Sequence, residues 1–205
     1  MKLTNTCSFD ELKESVLEQN TELFSDLLDS SEVTDIFKMT DIQGETILHI
    51  ACGAGNVKAV ISALEYDADL NAKNKVDSDT PLHIAARNDN LVILMHLLNS
   101  GASVIEKNAK GNTPLHEAVL FNAKRKVLNK MVECCITTKG RGIACDMLNN
   151  DGKTPLDLAL ESLNVGAIEA LAPLKDILKV KVERLSPQTL YLSSVEGQRV
   201  HLRSR

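Results

Sequence analysis

The residues that could do chemistry are few and regularly placed. His49, His83 and His116 each stand three positions after a threonine: Thr46, Thr80 and Thr113. A hydroxyl beside an imidazole is the raw material of a nucleophile and its base, and a thiol beside a histidine would be another. Five cysteines are present: Cys7, Cys52, Cys134, Cys135 and Cys145. Three of them, Cys134, Cys135 and Cys145, could be imagined around zinc. No paired C-x-x-C or H-x-x-x-H spacing supports that, and adjacent cysteines chelate one tetrahedral ion awkwardly. Lys139-Gly140-Arg141-Gly142 could cradle a phosphate through backbone amides. It lacks the P-loop spacing and the following Ser or Thr, and reads better as a flexible insertion. No G-x-G-x-x-G, G-x-S-x-G or H-E-x-x-H occurs. No catalytic residue, metal ligand or cofactor site is therefore assigned.

Repetition decides what the histidines are for. Thr80-Pro81-Leu82-His83-Ile84-Ala85-Ala86 recurs 33 residues later as Thr113-Pro114-Leu115-His116-Glu117-Ala118. It also lies 34 residues earlier as Thr46-Ile47-Leu48-His49-Ile50-Ala51, and later as Thr154-Pro155-Leu156-Asp157-Leu158-Ala159. Self-similarity at such a period marks stacked helical repeats. Threonine caps free amides at a helix start, and proline is tolerated in the first turn because its missing N–H needs no partner there. Leucine enters the core. Ala51, Ala85, Ala86, Ala118 and Ala159 let neighbouring units approach closely.

This wording resembles the ankyrin repeat family, whose consensus includes Thr-Pro-Leu-His-x-Ala and, later, Gly-Ala-Asp. The resemblance covers about residues 10–172, as five units phased on Asp10, Thr46, Thr80, Thr113 and Thr154. It implies an all-α solenoid of helix-turn-helix units with hairpin fingers. It also implies structural hydrogen bonds for His49, His83 and His116 near repeat boundaries. Asp157 replaces the histidine in the last unit, so that boundary is expected to differ.

Several stretches carry the detail. Ser8-Phe9-Asp10-Glu11 is a capping box opening the first unit, a capping repeat over 1–45. Asn20, Asn56 and Asn90 fall at inter-helix turns, where asparagine tolerates a left-handed backbone. Gly44, Gly111 and Gly152 lie two residues before a motif threonine and mark fingers that need a positive φ. The finger before Thr80 has Asp77-Ser78-Asp79 instead and is one residue longer. The repeats run over 46–172, with an insertion near 136–146. After Pro173 the repeat wording stops, and the alternation of Leu178, Val180, Val182, Leu190, Leu192, Val200 and Leu202 with polar residues predicts short β-strands in a C-terminal extension over 173–205.

Composition narrows the function. Aromatic residues make up 3% with no tryptophan, and the net charge is −5, which argues against base stacking and general DNA binding. Residues 1–40 hold nine acids against three bases, a net of −6; residues 173–205 hold seven bases against three acids, a net of +4. The odd cysteine count suits a reducing, intracellular setting, cytoplasmic or in a nucleus or a host cytosol. No apolar run reaches membrane-spanning length. The expectation is a monomer that recognises a partner protein through finger tips and inner helices, without nucleic acid, membrane or cofactor. Phase puts Arg87, Asn88, Leu120 and Phe121 on the inner helices, and Asp77, Asp79, Lys110 and Asn112 at neighbouring fingers. One alternative is an inhibitor or host-directed effector that masks a regulatory protein. Another is an enzyme whose activity lies in the insertion or the tail.

Overall fold

In the computed structural model, residues 8–28, 33–137 and 143–171 are described. The elements in chain order are α1 (Phe9–Leu17), α2 (Thr21–Leu28), a 3-10 turn (Val33–Lys38), α3 (Ile47–Ala54), α4 (Val57–Glu65), α5 (Pro81–Arg87) and α6 (Leu91–Asn99). They continue as α7 (Pro114–Leu120), α8 (Arg125–Thr137), α9 (Ile143–Asp146), α10 (Pro155–Glu161) and α11 (Val165–Leu171). No strand occurs among the described residues. The expected strands of the extension lie outside them, as does the centre of the insertion.

The helices form two layers. The inner layer is α1, α3, α5, α7 and α10, each packed on the next. The outer layer stacks α4, α6, α8 and α11 in the same order. Leu48, Leu82, Leu94, Leu97, Leu115, Leu128 and Met131 are fully buried. Each such side chain contributes roughly 1.5–3 kcal/mol relative to exposure. The five alanines singled out above have no exposure at all, so inner helices approach with only a methyl group between them. The end repeat is an all-α pair too, opened by Ser8: its hydroxyl accepts from the Glu11 amide at 3.2 Å, and the Glu11 carboxylate takes the Ser8 amide at 3.1 Å. Phe37, from the 3-10 turn, stacks on Tyr66 with ring centroids 5.1 Å apart.

The turns between paired helices correct one expectation. The left-handed residue is not the asparagine but the one before it: Gln19, Gly55 and Asp89 have φ of 54°, 70° and 55°. Asn56 and Asn90 are extended, with φ of −83° and −91°. Their side chains cap the second helix, accepting from Ala59 and Ile93 amides at 3.1 Å each. Asn20 and Asn164 do the same for Leu23 and Ala167 at 3.0 Å. The free amides of a helix start need an acceptor, which glycine cannot supply. Asparagine therefore sits where its carbonyl is used. The fourth turn has Lys124 at that place, and the Asp89 carboxylate of the preceding repeat accepts its amide at 2.6 Å.

Each finger is closed by one Asx side chain. Asp41 Oδ1 accepts from the amides two and four residues ahead, Gln43 and Glu45. Asn108 repeats this with Lys110 and Asn112, and Asn149 with Asp151 and Lys153. In the longer finger the same job falls to Asn74, with Asp77 and Asp79, three and five ahead. Ser78 takes the left-handed place of the missing glycine, with φ 55°. Gly111 could not be replaced as easily: an added Cβ would lie 2.7 Å from the Asn150 amide of the next finger.

Candidate partner-binding surface

The surface rests on joins between repeats, and the histidines make one set. The Thr46, Thr80 and Thr113 hydroxyls each donate to the Nδ1 of the histidine three residues on, at 2.8 Å, and their amides approach it at 3.1–3.2 Å. Nδ1 is thus the acceptor, which leaves the proton on Nε2. From there His49 donates to the Asp79 carbonyl and His83 to the Asn112 carbonyl, both at 3.0 Å. His116 donates to the Lys153 carbonyl at 3.1 Å. In each case the acceptor is the residue just before the next motif threonine. Burial holds all three imidazoles below their ordinary pKa, so they stay neutral. They are latches, as the resemblance implied. Asp157 takes the capping half of the role, accepting from the Thr154 amide and hydroxyl at 2.8 and 2.7 Å. An ionised carboxylate has no N–H to pass on to another repeat.

The fingers make the second set of joins. Lys75 N–H donates to the Gln43 carbonyl at 2.8 Å, Ala109 to Asp77 at 2.7 Å, and Asn150 to Lys110 at 3.0 Å. Four fingers therefore form one backbone-linked row. The extra residue of the second finger lies between its donor Lys75 and its acceptor Asp77. That residue is Val76, which is pushed out into solvent. Ile42, at the first tip, is 92% exposed.

Where the fingers meet the inner helices lies a polar cluster that the sequence reading divided wrongly between surface and interior. Asp79 and Asn112 are 1% and 2% exposed. Arg87 Nη2 reaches Asp79 Oδ2 at 2.5 Å and Glu117 Oε2 at 3.1 Å, and its Nε also donates to Glu117. Asn108 Nδ2 donates to both Asp79 and Glu117 at 2.9 Å. Asn112 Nδ2 donates to Glu117 at 2.9 Å, and its own oxygen accepts from Asn149 at 3.0 Å. Burial works to raise the Glu117 carboxyl. The Asn112 and Asn108 amides and the Arg87 charge outweigh it and hold the group below the usual range. Among the described residues no buried side-chain polar atom lacks a hydrogen bond.

Above this base sit the exposed residues. Leu120 and Phe121 end α7 at 43% and 55% exposure. The Arg87 guanidinium lies 5.1 Å from the centre of the Phe121 ring, in cation–π range. Asn88 and Lys110 are exposed, and Asp77 partly so. Thus Arg87, Leu120 and Phe121 come together, with Asp77 and Lys110 on adjoining fingers, whereas the Asn88 amide turns to the Cys52 and Gly53 carbonyls of the preceding repeat. Asp79 and Asn112 support them from beneath. In the sequence Asp41, Asn108 and Asn149, three residues before the finger glycines, mark the fingers, but the support that Asn108 and Asn149 give this cluster was not read, and neither was that of Asn74 and Glu117. The extra residue of the second finger obscured the same Asx position at Asn74. Glu117 stands directly after the motif histidine, where the other copies have Ile or Leu, and that departure was legible.

Among the described residues no helix is long and apolar enough to cross a membrane, and no group of three or more His, Cys, Asp or Glu side chains could hold a metal ion. A family model for ankyrin repeats (3 copies) matches residues 12–108 and 62–134. An ankyrin repeat protein of fowlpox virus (strain NVSL) is 32% identical over 135 residues, which is 66% of this chain and 39% of that protein. Rabankyrin-5 of Homo sapiens is 24% identical over 150 residues, covering 68% of this chain and 12% of that protein. An ankyrin repeat protein of Rickettsia bellii is 30% identical over 114 residues, covering 52% and 46%. The chain spans less than half the length of each of these relatives. With the repeated motif, the histidine latches and the linked fingers, these matches establish that the chain belongs to the ankyrin repeat family.

Proposed function

We propose that this chain is a recognition module that binds a partner protein through its finger tips and the exposed ends of its inner helices. The observation that carries the reading is the Leu120–Phe121 pair, left in solvent at the end of a helix whose other residues are all buried. Aromatic side chains and arginine are the types that anchor interfaces. Here Arg87 braces the ring, while Ile42, Val76 and Lys110 offer contacts along the fingers. The scaffold beneath is hydrogen-bonded throughout, so little ordering is lost on association. Ankyrin repeats are generally protein–protein interaction modules and generally non-enzymatic, and no catalytic role is proposed.

The test is affinity capture from cell lysate with the full chain and with Phe121→Arg, followed by titration of the captured partner. The variant is expected to bind at least about tenfold more weakly, since a central anchor is commonly worth 2 kcal/mol or more. Its circular dichroism should match the parent. Equal affinity with intact helices would remove this face from consideration.

A second reading is that binding masks a regulatory protein. In that case the captured partner loses activity in proportion to occupancy. A partner that stays fully active at saturation excludes it.

A further inference from the structure

The turns between paired helices lie at the far ends of the inner helices from the fingers, and they form a second linked row. Gln19 Nε2 donates to the Ala54 carbonyl and Asn88 Nδ2 to the Gly53 carbonyl, both at 3.3 Å. The Lys124 amide donates to Asp89 at 2.6 Å, and Asn164 Nδ2 to Asn122 Oδ1 at 3.0 Å. The two ends of this edge both expose apolar side chains, but they differ in charge. At the first turn Leu17 and Leu23 are exposed, with Glu18, Glu22 and Asp26 beside them. Lys58 reaches that turn but donates to the Thr21 carbonyl and the Ser25 hydroxyl, and Lys13 is taken by Asp41. At the last two turns Leu120, Phe121, Leu163 and Val165 are exposed, with Lys124, Arg125 and Lys126 beside them. Asp89 and Glu169 answer Lys124 and Arg125 at 3.0 and 2.8 Å, and pairs this open to water hold little. Leu163 is the sharper sign. Its left-handed counterparts in the row are Gln19, Gly55, Asp89 and Asn122, and a branched apolar residue is costly in that conformation. A leucine there serves neither the backbone nor the buried core.

We propose that this edge is the face on which two copies of the chain pair, antiparallel and related by a twofold axis, with the acidic first turn of each on the basic last turns of the other. Leu17 and Leu23 then cover Phe121 and Leu163, while Glu18, Glu22 and Asp26 face Lys124, Arg125 and Lys126. Each contact occurs twice, as a closed twofold pair requires. A parallel pair would set acids against acids and bases against bases. The charges fix register and orientation, and burial of the apolar residues supplies the attraction. The pair takes the place of the monomer expected from the sequence. It also covers Phe121, so a partner protein that uses that ring competes with the second copy. Pairing is measured on the purified chain alone, so its failure leaves the recognition reading standing.

Sedimentation velocity of the full chain over a concentration series measures the pairing. The expected result is a monomer–dimer equilibrium whose Kd rises at least about tenfold between about 0.05 and about 0.5 M NaCl, as the screening length shrinks from roughly 14 Å to roughly 4 Å. Glu18→Lys with Glu22→Lys makes both ends basic, and Lys124→Glu with Lys126→Glu makes both ends acidic. Each double variant alone should be monomeric, and an equimolar mixture should pair again, because both contacts return with their charges exchanged. Carbodiimide cross-linking of mixed unlabelled and heavy-nitrogen parent chains should join Glu18 or Glu22 of one chain to Lys124 or Lys126 of the other, which decides the matter even where a variant misfolds. A chain that stays monomeric at about 1 mM overturns the proposal. So does a double variant that pairs as readily as the parent, or a mixture that stays monomeric while both variants keep the parent's circular dichroism. Growth beyond the dimer overturns it, since such a contact does not close. Links from the acidic turn only to the bases of residues 173–205 within one chain overturn it as well.

Discussion

Arg87 has two carboxylates behind it and an aromatic ring beside it, and this changes what it can do. Asp79 and Glu117 together outweigh its charge, so it holds Phe121 in place better than it attracts an acidic partner. Replacing it with Glu, as its place on the inner helices first invites, would bring a third acid to two buried ones. Arg87→Gln is expected to destabilise the fold by about 2 kcal/mol, because Asp79 and Glu117 would lose their shared cation. Urea denaturation measures this, and an unchanged midpoint would contradict the account of the cluster. The proposed binding face is therefore better probed at Phe121. Sequence phase placed Arg87 and Phe121 on one face, but it carried no information on what lay behind them. Ion pairs between residues 30 positions apart depend on the stack being assembled.

The latch histidines make a prediction about pH. Burial keeps His49, His83 and His116 below their ordinary value of 6.5 in the folded chain. Below pH 6.5 the unfolded chain therefore takes up protons that the folded chain refuses. Stability is full above that value and falls as pH drops through it, by up to about 1.4 kcal/mol per pH unit for each histidine. Denaturation midpoints between pH 7.5 and 5.5 should show the decline. His83→Asn should reduce its slope, and a flat profile would rule out neutral latches.

Among the elements, the turns set what the sequence could reveal. Helix starts were legible to within a residue, since Thr-Pro and Ser-x-x-Glu carry their own chemistry. The division of labour inside each turn was not, because asparagine suits both a left-handed backbone and a cap. Only the demand of the following helix decides between them. The last turn shows the cost of a poor fit: Leu163 is left-handed, with φ 53°, and largely exposed. A branched side chain in that conformation costs roughly 1–2 kcal/mol. Leu163→Gly should therefore raise stability by about 1 kcal/mol, after glycine's greater freedom in the unfolded chain is subtracted. A thermal melt would check it, and a lower midpoint would mean that Leu163 packs more favourably than its exposure implies.

At the scale of the molecule, the period announced the architecture because each unit repeats one set of joins. The departures were less legible. The extra residue in the second finger, the long α8 and the α9 turn each break the period, and a broken period says where structure differs but not how. Repeats that touch only their neighbours open from the ends. Hydrogen exchange should thus be slowest for amides of α5 and α7, and faster in α1, α2, α10 and α11. Uniform protection along the array would indicate a single cooperative unit instead.

The row of fingers has a further consequence. Every join runs in one direction, from an amide on the later finger to a carbonyl on the earlier one. A unit therefore carries a plug on one side and a socket on the other, whatever its tip displays. The second finger, lengthened by Val76, still mates on both sides. Tips can lengthen or change their side chains while the couplings stay the same, so the array can alter what it recognises without relearning how to fold.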